Sequence, residues 1–159
     1  MKYHIIGIGK LKEAYLTAGL DEFLKRLRPY GKVELTILPE EKMPDHPSEA
    51  QKTAVLEKEG EKMLTRVRPD SYLFVLDVGG KLISSEELAA AFSDLALHGT
   101  SELTFIIGGP FGLSDAVRRQ AGSRISFGRI TLTHQMIRLL LLEQIYRAIK
   151  IERHEPYHL

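Results

Sequence analysis

The sequence contains no cysteine among its 159 residues. This absence excludes disulfides, thiolate zinc sites, iron–sulfur clusters and a cysteine nucleophile. The sequence also has no apolar stretch that reaches the ~18 residues required for a membrane span, and its first residues show no signal-peptide pattern. We therefore expect a cytoplasmic protein that has no membrane segment and binds no metal ion.

Charge is unevenly distributed along the chain. The net charge is +1, but residues 117–159 carry eight Arg or Lys and three Glu, a local net charge of +5. Such a basic segment favours a polyanionic partner, although a solvated basic helix and tail would give the same count. The length predicts a single domain, residues 1–159, and 43% apolar with 27% charged residues is an ordinary globular composition.

Strand-like and helix-like patterns alternate along the sequence. The strands are apolar throughout, which is typical of a parallel sheet covered by helices on both faces. We therefore predict an α/β fold with a mostly parallel sheet. The predicted strands are 3–8, 33–38, 72–78, 103–107 and 125–127. The predicted helices end near Pro29, run over about 48–67, begin after Ser84 and after Ser114, and run over about 134–151.

Three of the predicted strands end in glycine, in the sequences LDVGGK, IIGGPFG and SFGRI. Ligands of parallel sheets collect at the carboxyl ends of the strands, so these turns predict a binding site. Neither nucleotide fingerprint is present: Lys12 stands where a dinucleotide turn needs a small residue, and no P-loop sequence occurs. Glycines that only let helices pack closely on the sheet remain the alternative.

The last predicted helix is apolar on nearly every side between residues 136 and 151. A helix of this kind must be covered on both faces, and we expect a second copy of the chain to provide one cover, in a homodimer. Glu143 and Arg147 form an i,i+4 pair on the polar edge. Arg138 falls on the apolar side, where its guanidinium requires an anionic or hydrogen-bonding partner, either a ligand or a structural ion pair.

Four sequence blocks, in order, carry a family resemblance: LDVGGK, IIGGPFGLS, LTHQMIRLLLLEQIYRA and EPYHL. Together they resemble the bacterial ribosomal large-subunit methyltransferase H family, a group of SPOUT-class RNA methyltransferases, over the whole chain. The sequence departs from the usual family pattern at two positions. Phe111 occupies a variable position of the glycine turn, and Thr133 replaces the more usual proline, which is expected to loosen that turn.

The resemblance implies a C-terminal trefoil knot (the α/β-knot of the SPOUT fold), in which three glycine-ended loops wrap S-adenosyl-L-methionine. Backbone groups at Leu76 and Gly108 would contact the cofactor, and a third segment would close over it. That segment comprises Phe127, Gly128, Arg129, Ile130, Thr131 and Leu132.

The implied reaction is methylation of N3 of a pseudouridine in 23S rRNA of the assembled ribosome. Under this reading the catalytic candidates are His158 and Tyr157, which would handle the base, and Arg138. We expect a homodimer to lend the tail of one subunit to the cofactor pocket of the other. Arg138, Arg147 and Arg153 are the candidates for contacts with RNA phosphates.

Other functions are compatible with the same sequence. One alternative is a SPOUT enzyme that methylates a tRNA ribose 2′-hydroxyl, and another is a ribosome-binding module without enzymatic activity. A hydride-transferring Rossmann enzyme is a more distant alternative because the dinucleotide fingerprint fails.

Overall fold

A five-stranded sheet forms the centre of the structure, a computed structural model that describes residues 1–158. The strand order is β2-β1-β4-β3-β5, and every neighbouring pair is parallel. This confirms the predicted α/β fold with a parallel sheet. The elements are β1 (Lys2–Ile8), α1 (Ala14–Leu27), β2 (Lys32–Leu38), α2 (Glu49–Leu64), β3 (Tyr72–Leu82), α3 (Ser85–Leu97), β4 (Glu102–Ile107), α4 (Asp115–Gln120), β5 (Ser123–Ser126) and α5 (His134–Glu152).

Helices cover both faces of the sheet. Helices α1, α3 and α5 pack on one face, and α2 and α4 pack on the other. Successive residues of the buried strands alternate between the two hydrophobic clusters, as the two-residue period of a strand requires. In β1 Ile5 belongs to the first cluster and Ile6 to the second, and in β4 Phe105 and Ile106 divide in the same way.

Strand β3 is longer than the predicted 72–78 because it continues beyond an irregularity. Its register against β5 shifts between Leu76 and Lys81, after which Lys81 and Leu82 pair again. The residues between them bulge out of the ladder. At the end of the bulge, a Cβ on Gly80 would lie 2.8 Å from the Arg124 carbonyl, so this glycine allows the two backbones to approach closely. Strand β5 ends at Ser126 and leaves Phe127 in the following loop.

Hydroxyl side chains cap four of the helices, as the sequence predicts for Ser84 and Ser114. Ser48 caps α2 in the same way. At α5 the cap is Thr133, whose Oγ1 accepts a hydrogen bond of 3.1 Å from the Met136 N–H. The Thr133 side chain thus ties the turn to the helix, which opposes the loosening expected from the missing proline. None of the helices among residues 1–158 is long and apolar enough to cross a membrane.

Helix α5 is largely covered within its own chain. It packs between α1 and α3, and none of its residues from 134 to 151 is exposed. The prediction that both sides must be covered is confirmed, but neighbouring helices of the same chain provide much of the cover. Only the half-buried outward side of α5, which includes Leu140, remains for a second copy.

His4 is buried in β1, with 3% of its surface exposed. Its Nε2 lies 2.8 Å from Thr36 Oγ1, and its Nδ1 has no hydrogen-bond partner among the described residues. Burial lowers the pKa of His4, and nearby Arg68 acts in the same direction, while Glu34 opposes the shift. The folded protein therefore binds a proton at this site less readily than the unfolded chain does.

We expect His4 to make the protein less stable as the pH falls below about 6.5, the ordinary histidine pKa. In that range the unfolded chain takes up the proton first, so the free energy of unfolding decreases. A His4→Gln variant keeps a polar partner for Thr36 and should lose less stability between about pH 7.5 and pH 5.5 than the wild-type chain. Urea unfolding of both proteins at both pH values checks this. Identical pH dependence would contradict it.

Candidate active site

A cavity of about 440 Å³ lies at the carboxyl edge of the sheet. This volume is within the usual range for small-molecule sites. Three segments meet around the cavity: the end of β3, the glycine turn after β4, and the loop that follows β5. The start of α5 completes the wall with His134 and Ile137. The structure thus brings the three glycine-ended strands of the sequence together at one site.

The turn after β4 has a conformation that glycine makes possible. A Cβ on Gly108 would lie 2.5 Å from the Gly112 carbonyl oxygen and 2.9 Å from Leu113 Cγ. Gly112 has a φ of +95°, and its N–H donates a 3.1 Å hydrogen bond to the Gly109 carbonyl. The turn therefore folds tightly onto itself. Because these glycines have no side chains, the turn lines the cavity mainly with backbone.

The loop after β5 is fixed by two side chains. Ser126 is buried, and its hydroxyl donates a 2.7 Å hydrogen bond to the Gly128 carbonyl while accepting one from the Gly128 N–H. Arg129 donates hydrogen bonds to the carbonyls of Val78 and Gly80 in the β3 bulge. Of the six predicted cofactor residues in this loop, Arg129 alone does not line the cavity. Its guanidinium instead ties the loop to β3.

We expect a Ser126→Ala variant to bind S-adenosyl-L-methionine, the cofactor that the family resemblance implies, several-fold more weakly. The substitution removes both hydrogen bonds to Gly128, worth roughly 0.5–1.5 kcal/mol each, and this releases the loop that closes the cavity. The side chain is small and buried, so the fold should survive. Calorimetric titration with S-adenosylhomocysteine checks the prediction, and Ser123→Ala at the other end of β5 is the matched control. Equal affinities for Ser126→Ala and wild type would contradict it.

Two charged side chains at the cavity wall were not predicted from the sequence. Asp77 follows the buried part of β3, and its Oδ2 accepts hydrogen bonds from Arg118 Nε at 3.0 Å and Arg124 Nη2 at 2.8 Å. Burial alone would raise the pKa of Asp77, but hydrogen bonds from Arg124, the Gly79 N–H and Arg118 outweigh it and lower the pKa. Asp77 and Arg118 both line the cavity. A carboxylate inside an otherwise apolar strand was the signal available in the sequence.

Arg138 lies behind the cavity and does not line it. Its side chain is 1% exposed, and its Nη2 donates a hydrogen bond to the Ile8 carbonyl at the end of β1. The partner is thus a backbone carbonyl, and among residues 1–158 the structure does not show the ion pair that the sequence left open. The guanidinium occupies the space beside Gly7, where a Cβ would lie 3.0 Å from its Nε. The structure does not support the prediction that Arg138 contacts an RNA phosphate, because RNA cannot reach a side chain that is buried to this extent.

His134 places its imidazole in the cavity wall. Burial lowers the pKa of His134, and neighbouring Arg138 adds to this effect, while Glu40 opposes it. Its Nε2 is buried without a hydrogen-bond partner among residues 1–158 and lies 3.9 Å from Glu40 Oε1. No sequence pattern indicated His134 or Glu40 as site residues, because they come together only when the loop after β2 meets the start of α5.

The tail after α5 folds back onto the helix. The hydroxyl of Tyr157 donates a 3.0 Å hydrogen bond to Glu143, and its ring lies 4.8 Å from that of Tyr146. His158 Nε2 lies 2.7 Å from Glu86 Oε1. Neither Tyr157 nor His158 lines the cavity of its own chain. Burial, reinforced by the Glu143 carboxylate, raises the pKa of Tyr157, so the phenol is a donor at neutral pH. Leu159 lies outside the described residues.

The two other arginines selected from the sequence are exposed enough to meet a phosphate but are paired within the chain. Arg147 Nε donates a 3.0 Å hydrogen bond to Glu143, which confirms the predicted i,i+4 pair. Arg153 Nε donates a 2.7 Å hydrogen bond to Glu155, and 57% of the Arg153 side chain is exposed. An RNA phosphate would have to compete with these two carboxylates.

Comparison with known proteins gives consistent matches over nearly the whole chain. Residues 1–158 match the family model described as predicted SPOUT methyltransferase. Over 158 residues the chain is 49% identical to ribosomal RNA large subunit methyltransferase H of Listeria monocytogenes (strain EGD-e) and 48% identical to that of Enterococcus faecalis. Over 160 residues it is 49% identical to the protein of the same name from Symbiobacterium thermophilum. Each match covers 99% of both chains.

Proposed function

Because the chain belongs to the ribosomal RNA large subunit methyltransferase H family of SPOUT methyltransferases, we propose that it methylates N3 of a pseudouridine in 23S rRNA of the assembled ribosome. The proposed methyl donor is S-adenosyl-L-methionine, and a ribosomal substrate implies action in the cytoplasm. The observation that carries this proposal is the single cavity at which all three glycine-ended strands meet.

The residues around the cavity fit S-adenosylmethionine. Apolar side chains such as Leu76 and Phe127 line it, and the glycine turn at Gly108 offers backbone donors and acceptors suited to an adenine ring. Residues 127–132 would close over the bound molecule. When bound, the cofactor supplies an electrophilic methyl group. This chemistry needs no phosphate cradle, in agreement with the missing nucleotide fingerprints.

The protein's remaining task is to position the base and remove its N3 proton. A deprotonated nitrogen has its own electron pair for the attack, so the reaction does not need the cysteine nucleophile that methylation at a uracil carbon normally uses. The absence of cysteine from the sequence is consistent with this. We assign proton removal to His158 and base orientation to Tyr157, whose ring can stack on a base and whose hydroxyl can donate to it.

A homodimer would bring these tail residues to a cavity. Tyr157 and His158 do not line the cavity of their own chain, so a partner subunit offers the complementary site. Apolar side chains surround the cavity mouth, including Val78 with 46% and Ile130 with 79% exposure, and these are suited to burial against a second copy. Arg147 and Arg153 would then contact RNA phosphates, and we expect RNA binding to weaken steeply with salt.

Methyl transfer to purified ribosomes tests the proposed function. Ribosomes from a strain that lacks this gene are incubated with the protein and methyl-labelled S-adenosylmethionine, and the nucleosides are then identified by mass spectrometry. We expect the label in N3-methylpseudouridine from 23S rRNA. Label in a ribose-methylated tRNA nucleoside would favour the other SPOUT activity. Ribosome binding without calorimetric heat from the cofactor would favour a binding module and overturn the proposal.

A further inference from the structure

Tyr157 and His158 are joined by one continuous hydrogen-bond network to the folded body of the chain. Tyr157 donates to Glu143 Oε1 at 3.0 Å, and Arg147 Nε donates to the same oxygen at 3.0 Å. Arg147 Nη1 lies 3.3 Å from His158 Nδ1. His158 Nε2 lies 2.7 Å from Glu86 Oε1. The imidazole is therefore held from both sides, by a guanidinium on one nitrogen and a carboxylate on the other.

The chemistry of these two partners determines where a neutral His158 carries its proton. A guanidinium can only donate hydrogen bonds, and an ionised carboxylate can only accept them. Arg147 therefore meets the lone pair of Nδ1, and Glu86 accepts the proton of Nε2. Both contacts can form together in only one neutral tautomer, with the proton on Nε2 and the lone pair on Nδ1.

Glu86 can accept a hydrogen bond from His158 Nε2 because the capping box of α3 does not use its side chain. The capping box of α3 is made by Ser84 and Glu87, which exchange hydrogen bonds of 2.7 and 3.1 Å. Glu86 precedes Glu87 in the same turn, and its carboxylate is directed to His158 instead. The hydrogen bond to its own backbone N–H, followed by that from His158, lowers the pKa of Glu86. The carboxylate is therefore ionised and an acceptor at neutral pH.

We propose that Glu86 is a positioning residue for His158, which it holds in the Nε2–H tautomer so that Nδ1 is the atom that takes the N3 proton of the substrate. This inference rests on the proposed function. In the step, the N3–H bond breaks, the proton passes to the Nδ1 lone pair, and the N3 electron pair stays on the base for methyl transfer. The resulting imidazolium is stabilised by the Glu86 carboxylate. The Arg147 contact, at 3.3 Å the longest in the network, is the one that substrate replaces.

A first test needs neither substrate nor cofactor. Ring ¹⁵N spectra of the full-length protein should show two widely separated chemical shifts for His158, one from the protonated Nε2 and one from the unprotonated Nδ1. Glu86→Ala should narrow that separation toward the value for His46, which is exposed and serves as an internal reference. The control Glu49→Ala removes an acidic side chain from the first turn of α2 and should leave the His158 shifts unchanged. Unchanged shifts in Glu86→Ala would overturn the proposal.

The second test measures methyl transfer to ribosomes. Glu86→Ala should lower kcat about tenfold or more with little change in the KM values, because a positioned general base contributes about 10²–10⁴-fold. Glu86→Gln retains an acceptor oxygen and should recover part of this loss. In a His158→Ala background the same substitution should have no further effect, and an independent additional loss would overturn the proposal. If His158→Ala itself retains full kcat, the assignment of the base in the proposed function fails, whereas the ¹⁵N result stands separately.

Discussion

A Gly108→Val variant is expected to bind S-adenosylmethionine on the order of a hundredfold more weakly than the wild-type chain, the loss expected when about two hydrogen bonds are broken. A Cβ at this position would lie 2.5 Å from the Gly112 carbonyl, so the glycine turn must open. The branched side chain would also occupy space at the cavity wall. The substitution thus removes backbone groups from the cofactor and reduces the room available to it.

Calorimetry with S-adenosylmethionine checks this result, with circular dichroism and thermal unfolding to show that the variant is folded. Gly99→Val is the matched control. Gly99 has a positive φ of +90° and lies at the end of α3, with no atom within 4 Å of an added Cβ. Its replacement should strain a turn and leave cofactor affinity intact. Unchanged affinity in a folded Gly108→Val protein would remove the glycine turn from the cofactor site.

Removal of residues 157–159 is expected to abolish most methylation of ribosomes while leaving cofactor binding and dimerisation intact. The deletion removes His158, the proposed general base, and the neighbouring phenol of Tyr157. General-base catalysis contributes roughly 10²–10⁴-fold to the rate. Neither Tyr157 nor His158 lines the cavity, so cofactor affinity should not depend on them. Turnover on ribosomes, calorimetry and light scattering measure the three properties separately.

A His158→Ala variant separates the loss of the general base from the loss of packing. Tyr157 packs against Tyr146, and Arg147 lies 4.6 Å above the Tyr157 ring, so the deletion also uncovers part of α5. His158→Ala keeps this packing and should still lose most of the turnover. Normal turnover in the truncated protein would exclude the tail from catalysis. A loss of cofactor affinity would show that the tail contributes to cofactor binding, contrary to this expectation.

Local patterns in the sequence were sufficient to predict the layered sheet. Each buried strand is apolar on both sides because helices cover both faces, and the serines before α3 and α4 marked the helix starts. The bulge that follows Leu76 was not predictable, because it depends on how β3 meets β5. The trefoil knot that the SPOUT family implies leaves no periodic signal either, and general topology rules would have discarded it.

Some residues of the candidate site were likewise predictable from the sequence, and others were not. The glycines that end three strands predicted where the site lies, and the family resemblance supplied Gly108 and residues 127–132. Asp77 and Arg118 did not, because an ion pair between β3 and α4 exists only after the chain has folded. For Arg138 the helical period correctly predicted burial and a required partner, but not that the partner would be the Ile8 carbonyl, 130 residues away along the chain.

A mixed dimer provides the most direct measurement of an active site shared between two chains. A Gly108→Val subunit, which keeps its tail, is co-expressed with a subunit that lacks residues 157–159, and the heterodimer is isolated through two different affinity tags. This dimer has one intact cavity facing the one intact tail, so we expect about half of the wild-type N3-methylpseudouridine formation on 23S rRNA, while both parent homodimers remain inactive. A heterodimer no more active than its parents would show that tail and cavity do not work across the interface.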